Sequence, residues 1–287
     1  MHSYRNRCTE FARIFERCTR IQDLRFAGTR PLSDGSDLVA SVLNSSLGNG
    51  RNLNLKKLDL NDCAFKTNAS HQALFSVLVF AKSLTYLDLG GCGLEDAGVK
   101  EVCLALTHGC SILEHLDLSG NDVKRYGAEH IASYICKKGR NLKTLRLEDN
   151  KLSCEGAVAI ASAFHGREDV PNIEEIQLNI CMIGAIGARA LIEAFGPNGK
   201  NTPNLKHIFL NGNFFADDVL SEVEVAFDHR LGGMDDNDSD GDADDELSDE
   251  EEDDDAADDD DEGERGGGPA AHIVDNDLAE AMGSMLV

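Results

Sequence analysis

Four charged residues recur at one position of a periodic pattern: Asp59, Asp88 and Asp117, each 29 residues after the one before, and then Arg146 after a further 29. Each is flanked by leucines, as Leu58 and Leu60 flank Asp59, an alternation that places the charge on the strand face opposite the leucines. In adjacent strands three carboxylates would stack at about 4.8 Å. Like charges set opposite one another oppose sheet formation, so such a stripe is suited to receiving the lysine or arginine of a partner. The alternative is structural: neighbouring hydroxyl and amide groups, such as those of Ser119 and Asn61, would solvate the carboxylates.

Other chemistry is sparse. Asp236, Asp238, Asp240 and Gly241 mimic the opening of a calcium loop, but the closing glutamate falls one position early at Glu246, with Leu247 in its place. Nine histidines are scattered, and His115 and His207 are too many repeats apart to share a metal, so no metal is expected. Arg30, in a loop after the first apolar segment, is an exposed arginine best read as an ordinary loop residue. No phosphate-cradling glycine loop follows a strand, no nucleophile and base share a repeat position, and no catalytic residue or cofactor is assigned.

The net charge of −25 has one source. Asp235 to Glu264 holds 21 acidic residues and no lysine or arginine, leaving 31 acids against 27 bases elsewhere. A nearly balanced body with a polyanionic tail argues against nucleic acid as a partner and for a basic protein surface. Met1 to Phe11 lacks the apolar core of a signal peptide, and the apolar stretch near Ala73 to Ala81 is too short to span a bilayer. A soluble, intracellular monomer without membrane insertion, its nine cysteines reduced, is the expectation.

The elements that would position the stripe follow from a repeat. Segments starting at Ile21, Leu55, Leu84, Leu113, Leu142, Ile173 and Leu205 all read apolar-x-x-apolar-x-apolar, at spacings of 34, 29, 29, 29, 31 and 32 residues. Eight positions after each start stand Thr29, Cys63, Cys92, Asn121, Asn150, Cys181 and Asn213, small polar side chains able to bond the backbone of a turn. Fourteen positions after five of the starts come Gly35, Gly98, Gly127, Gly156 and Gly187, followed by apolar spacing of helical period. This is the pattern of leucine-rich repeats. It predicts an α/β solenoid, a ribonuclease-inhibitor-like horseshoe with a parallel sheet inside and helices outside.

Four regions are expected: a partial N-terminal repeat over 1–20, repeats over 21–232, a disordered acidic tail over 233–269 and a short segment over 270–287. Phe11, Ile14, Phe15 and Cys18 form a helical stripe with no strand before it, so the array is expected to be incomplete at its start. Asp217, Asp218, Glu222 and Glu224 make the last helix polar, as a terminal cap requires. Beyond Gly232 the chain is expected not to pack.

The repeats running into an acidic tail resemble the Ran GTPase-activating proteins, most closely the plant-type branch. Phe26-Ala27-Gly28-Thr29-Arg30, Leu55-Lys56-Lys57-Leu58-Asp59-Leu60, Gly93-Leu94-Glu95-Asp96-Ala97-Gly98 and Gly184-Ala185-Ile186-Gly187-Ala188-Arg189-Ala190-Leu191 look like stretches of that family in the same order, as does the ending Phe209-Leu210-Asn211-Gly212-Asn213-Phe214. The resemblance implies stimulation of GTP hydrolysis on Ran rather than an enzymatic site of its own. GTP-bound Ran would be the partner, with a Ran-binding protein as a further one, and Ran would supply the water-positioning glutamine without an arginine finger from the activator. It implies cytoplasmic residence with nuclear-envelope association and a role in nucleocytoplasmic transport. The family's critical arginine and asparagine lie on repeats that would precede Met1, so neither role is assigned to Arg30 or any other residue, and a chain completed upstream is expected to be the more active. The plant-type Trp-Pro-Pro targeting domain has no counterpart, the chain having no tryptophan. The other reading is a leucine-rich-repeat scaffold of the ribonuclease-inhibitor or immune-receptor type whose acidic tail binds basic proteins.

Overall fold

The computed structural model describes residues 21–27, 54–110, 112–165, 171–197 and 202–236. The chain divides into two units, 1–248 and 249–287, the second lying wholly outside those residues. Also outside them are the Phe11 to Cys18 stripe, Thr29, Arg30, Gly35, and Asp238, Asp240, Gly241, Glu246 and Leu247 of the calcium-like segment.

Among the described residues the apolar segments form seven short strands, β1 (Asp23–Arg25), β2 (Lys57–Asp59), β3 (Tyr86–Asp88), β4 (His115–Asp117), β5 (Thr144–Arg146), β6 (Glu175–Gln177) and β7 (His207–Phe209). They make one parallel sheet in chain order. Helices connect them from β2 onward: α1 (Asn68–Leu78), α2 (Glu95–Gly109), α3 (Arg125–Lys138), α4 (Ser153–Ser162) and α5 (Ala185–Phe195), with α6 (Asp217–Phe227) after β7. The chain carries leucine-rich repeats folded as an α/β solenoid. Its register is unbroken, Leu24, Leu58, Leu87, Leu116, Leu145, Ile176 and Ile208 pairing in succession, so the longer spacings are absorbed outside the strands.

Burial explains that register. In the second repeat Leu55, Leu58 and Leu60 are all sealed from solvent, and so are their counterparts down to Leu205, Ile208 and Leu210. A further buried column, ten positions after each start, runs Phe65, Leu94, Val123, Leu152, Ile183 and Phe215. Each such side chain contributes roughly 1.5–3 kcal/mol when fully buried, and a slip of one residue would turn the strand leucines to the open face.

The column eight positions after each start is a hydrogen-bond relay. The Asn121 amide donates to the carbonyls of Leu89 and Leu118, while its oxygen accepts from the N–H groups of Cys92 and Leu94 in the preceding repeat. Asn150 and Asn213 repeat the arrangement, accepting from Asn121 and Val123 and from Cys181 and Ile183. The thiols of Cys63, Cys92 and Cys181 each donate to a carbonyl one repeat back, at Phe26, Leu60 and Leu147. Sulfur is a weak acceptor. The Asn150 N–H, which meets the Cys181 sulfur, also bonds the Ile180 carbonyl at 3.2 Å.

One position before this column the backbone is left-handed at Asp62, Gly91, Gly120, Asp149, Ile180 and Gly212, with φ between 53° and 70°. Aspartate tolerates that region and glycine adopts it freely. Ile180 does neither, and Met182 two residues on is left-handed as well, with φ 59°. For a β-branched residue this is an outlier, and each such position stores roughly 1–3 kcal/mol.

The helices touch through small residues. A Cβ on Gly98 or Gly127 would fall 2.7 Å or less from a side-chain atom of the preceding repeat, of His71 and Asp96 respectively, and one on Gly156 or Gly187 would lie 3.4 or 3.0 Å from the side chain of Ala128 or Ala157.

Residues 231–236, of which those past Gly232 were expected not to pack, lie against the edge of β7. Leu231 bridges Ile208 in parallel, Gly232 N–H donates to the Ile208 carbonyl at 2.9 Å, and Asp236 exchanges two 2.9 Å bonds with the Asn211 side chain. The open edge of β7 supplies unpaired backbone groups, which Leu231 and Gly232 meet, while Asp236, at the start of the acidic run, bonds the Asn211 side chain. Asp236, the first residue of the calcium-like motif, is thereby engaged with Asn211. The polarity of α6 is also partly internal, since Arg189 of α5 pairs with Asp218 and Glu222, whereas Val225 is left 81% exposed.

Candidate functional site

The open face of the sheet presents two columns of side chains, fixed by strand register. One runs Asp23, Lys57, Tyr86, His115, Thr144, Glu175 and His207; the other runs Arg25, Asp59, Asp88, Asp117, Arg146, Gln177 and Phe209. Asp59, Asp88 and Asp117 thus stand on three neighbouring strands with Arg146 beside Asp117, and the structure adds an arginine that sequence reading left out. Arg25 lies at the other end, its Nε 2.9 Å from Asp59 Oδ2.

The stripe is held by more than side-chain solvation. Asp59, Asp88 and Asp117 each accept, at Oδ1, the backbone N–H two residues on, from Asn61, Gly90 and Ser119 at 3.2, 3.0 and 3.0 Å. Backbone donors therefore fix the carboxylates at the strand ends, leaving each Oδ2 for another partner. Arg146 approaches Asp117 at 3.9 Å and Glu175 at 3.2 Å, and Gln177 donates to the same Glu175 oxygen. Among the described residues no lysine or arginine pairs with Asp88; its Oδ2 accepts only the Tyr86 hydroxyl, at 3.3 Å.

Electrostatics follow. Burial raises the Asp117 carboxyl above the usual carboxylate range and the Asp88 charge raises it further, against the Ser119 bonds and Arg146, which lower it. Tyr86 is pushed up to about 12 by burial and by Asp88. Its ring stacks on that of His115, with centroids 4.3 Å apart and planes 1° from parallel. Burial, then the Arg146 guanidinium, bring His115 down to about 4, outweighing Asp88 and Glu175, and its buried Nε2 has no hydrogen-bond partner. A neutral aromatic pair thus borders an anionic stripe, a surface that accepts a guanidinium or ammonium both by charge and against a ring face.

His115 carries a pH prediction. The unfolded chain takes up the imidazole proton near 6.5, the folded one only near 4. The stabilisation from neutral His115 is therefore whole above pH 6.5 and is lost as pH falls toward 4. Because the ring is partly open to solvent, the loss is on the order of 1 kcal/mol. The stability of wild type relative to His115→Leu, read from melting curves, should fall by about that amount between pH 6.5 and 4; a constant separation would show that His115 does not titrate in this way.

Burial pushes the thiols of Cys92 and Cys103 far up and that of Cys181 to about 12, which leaves them protonated and poor nucleophiles at neutral pH. The seven described cysteines are all free. Among the described residues no group of histidine, cysteine or acidic side chains could hold a metal ion, and no helix is long and apolar enough to cross a membrane. His115 and His207 stand three strands apart, on β4 and β7.

Comparison with known proteins agrees with the repeat class. A leucine-rich-repeat family model matches residues 81–103, 109–132 and 140–161, spans that each contain one of β3, β4 and β5 and part of the helix that follows. No curated protein matches the chain. Solved structures similar to it include the actin-binding site 2 of leiomodin-1, at 13% identity and a TM-score of 0.39, covering 50% of this chain and 79% of that one. Neither figure bears on what this chain binds. The repeats support a protein-interaction scaffold.

Proposed function

We propose that this scaffold takes up a basic surface of a partner protein on the open face of its sheet, that the partner is Ran in its GTP-bound form, and that binding stimulates GTP hydrolysis on Ran. The observation that carries the binding reading is the stripe itself: three carboxylates on adjacent strands, fixed by backbone N–H groups, with Asp88 lacking any cation among the described residues. The choice of Ran is supported by the ordered stretches from Phe26 to Phe214 that resemble its activators. The chain's part is positional. It holds the partner while the partner's own groups carry out phosphoryl transfer, so the chain is an activator and not an enzyme, working from the cytoplasm and at the nuclear envelope.

Single-turnover hydrolysis of GTP preloaded on Ran, followed with and without the full chain, tests the proposal. The expected result is acceleration over the intrinsic rate that saturates with the chain's concentration. Saturable binding without acceleration would instead assign the face to a scaffold of the ribonuclease-inhibitor type, for which the same stripe would hold a different basic protein.

A further inference from the structure

We propose a second interaction surface, the turn Ile180 to Met182 after β6, as the docking point for a partner segment that carries an apolar side chain next to a lysine or arginine. Ile180 and Met182 are 58% and 47% exposed, two of the six large hydrophobic side chains left open among the described residues. Both are also in the left-handed region. The positions equivalent to Ile180 hold aspartate or glycine, at Asp62, Gly91, Gly120, Asp149 and Gly212, and the left-handed positions equivalent to Met182 hold Gly93 and Asp122. At the Ile180 position the array elsewhere uses aspartate or glycine, so the strain and the apolar exposure there are particular to this turn. Exposure and strain at two residues in one turn disfavour the free chain twice over, and a partner that covers them offsets the first.

The surroundings specify the partner. The Ile180 side chain lies over the following turn, where a Cβ on Gly212 would be 2.9 Å from its Cγ1, so the apolar shelf continues onto bare backbone. The preceding turn presents Glu148 and Asp149, with Glu148 Oε2 accepting the Asn179 amide at 3.4 Å and Asp149 N–H bonded to the Asn179 carbonyl. The lysine of that turn, Lys151, is paired with Asp122 at 2.8 Å. Beyond Gly212 the side chain of Asn211 holds a further carboxylate, Asp236, at 2.9 Å. An apolar shelf with an acidic border fits a basic, apolar segment and repels an acidic one.

The test does not involve Ran, so its failure and that of the Ran reading are separate. Random dodecapeptides displayed on phage are panned against the full chain. The enriched peptides are then measured by fluorescence anisotropy against wild type, the double variant Ile180→Asn with Met182→Asn, and Asp149→Asn, whose new residue also tolerates the left-handed backbone. Peptides pairing an apolar residue with lysine or arginine should dominate. The double variant should melt higher than wild type yet bind at least about tenfold more weakly, and Asp149→Asn should weaken binding most at low salt. Equal binding by the double variant, a lower melting temperature for it, acidic peptides or none enriched, or dimerisation of the chain through this turn in sedimentation would each overturn the proposal.

Discussion

Asn121→Leu is expected to lower the free energy of unfolding by about 3–5 kcal/mol, although leucine is more apolar and the site is buried. The Asn121 side chain serves five backbone groups, the N–H of Cys92 and Leu94 and the carbonyls of Leu89, Leu118 and Ser119. Each buried group left unmet costs about 1–3 kcal/mol, and relaxation of the turn recovers part of the sum. Cys92→Ala should lose far less, on the order of 1 kcal/mol or below, because the thiol makes weaker bonds, to the Leu60 and Gly90 carbonyls. Urea titration reads both as a shift of midpoint at constant slope. An Asn121→Leu midpoint within error of wild type would show that the relay does not hold the repeats together.

The second large effect concerns binding. The double variant Asp88→Asn with Asp117→Asn keeps an oxygen to accept the N–H of Gly90 and of Ser119 while removing two charges from the centre of the stripe. Its affinity for GTP-loaded Ran should fall by about a hundredfold, close to 2.7 kcal/mol, with a weaker dependence on salt. Stability should hold or rise. The fold raises the Asp117 pKa, so ionising this group in the folded state is unfavourable, and the stability it supplies when protonated is lost as pH rises through the folded pKa. Asparagine at 117 removes that loss at neutral pH. Undiminished affinity in surface plasmon resonance at low salt would remove the stripe from the interface.

Much of this architecture was legible because a solenoid repeats its burial. A leucine that must be sealed at 58 must be sealed again at 87, 116 and 145, and recurrence separates such positions from chance. The same columns held information that reading the acidic residues alone missed. Arg25 stands one strand before Asp59 in the register that places Asp59 beside Asp88, and Tyr86 one strand before His115. Ile180 was likewise visible as the one branched apolar residue among Asp62, Gly91, Gly120, Asp149 and Gly212. Residues 231–236 were not visible. They follow the last repeat, share no period with it, and are placed by the backbone of an open strand edge, which leaves no mark on residue type.

The glycines at the helix contacts bear on how such an array changes over generations. Gly98, Gly127, Gly156 and Gly187 hold one slot, yet the nearest atoms from the preceding repeat differ: an imidazole from His71, a carboxylate from Asp96, and the methyls of Ala128 and Ala157. A slot with no side chain of its own places little demand on what enters it. Each slot is nonetheless filled, and the residue that enters it varies in type from repeat to repeat while the glycine that receives it does not. Inheritance of the array is loosely coupled from one unit to the next, so that its outer surface can diversify while the sheet that displays Asp59, Asp88 and Asp117 stays in register.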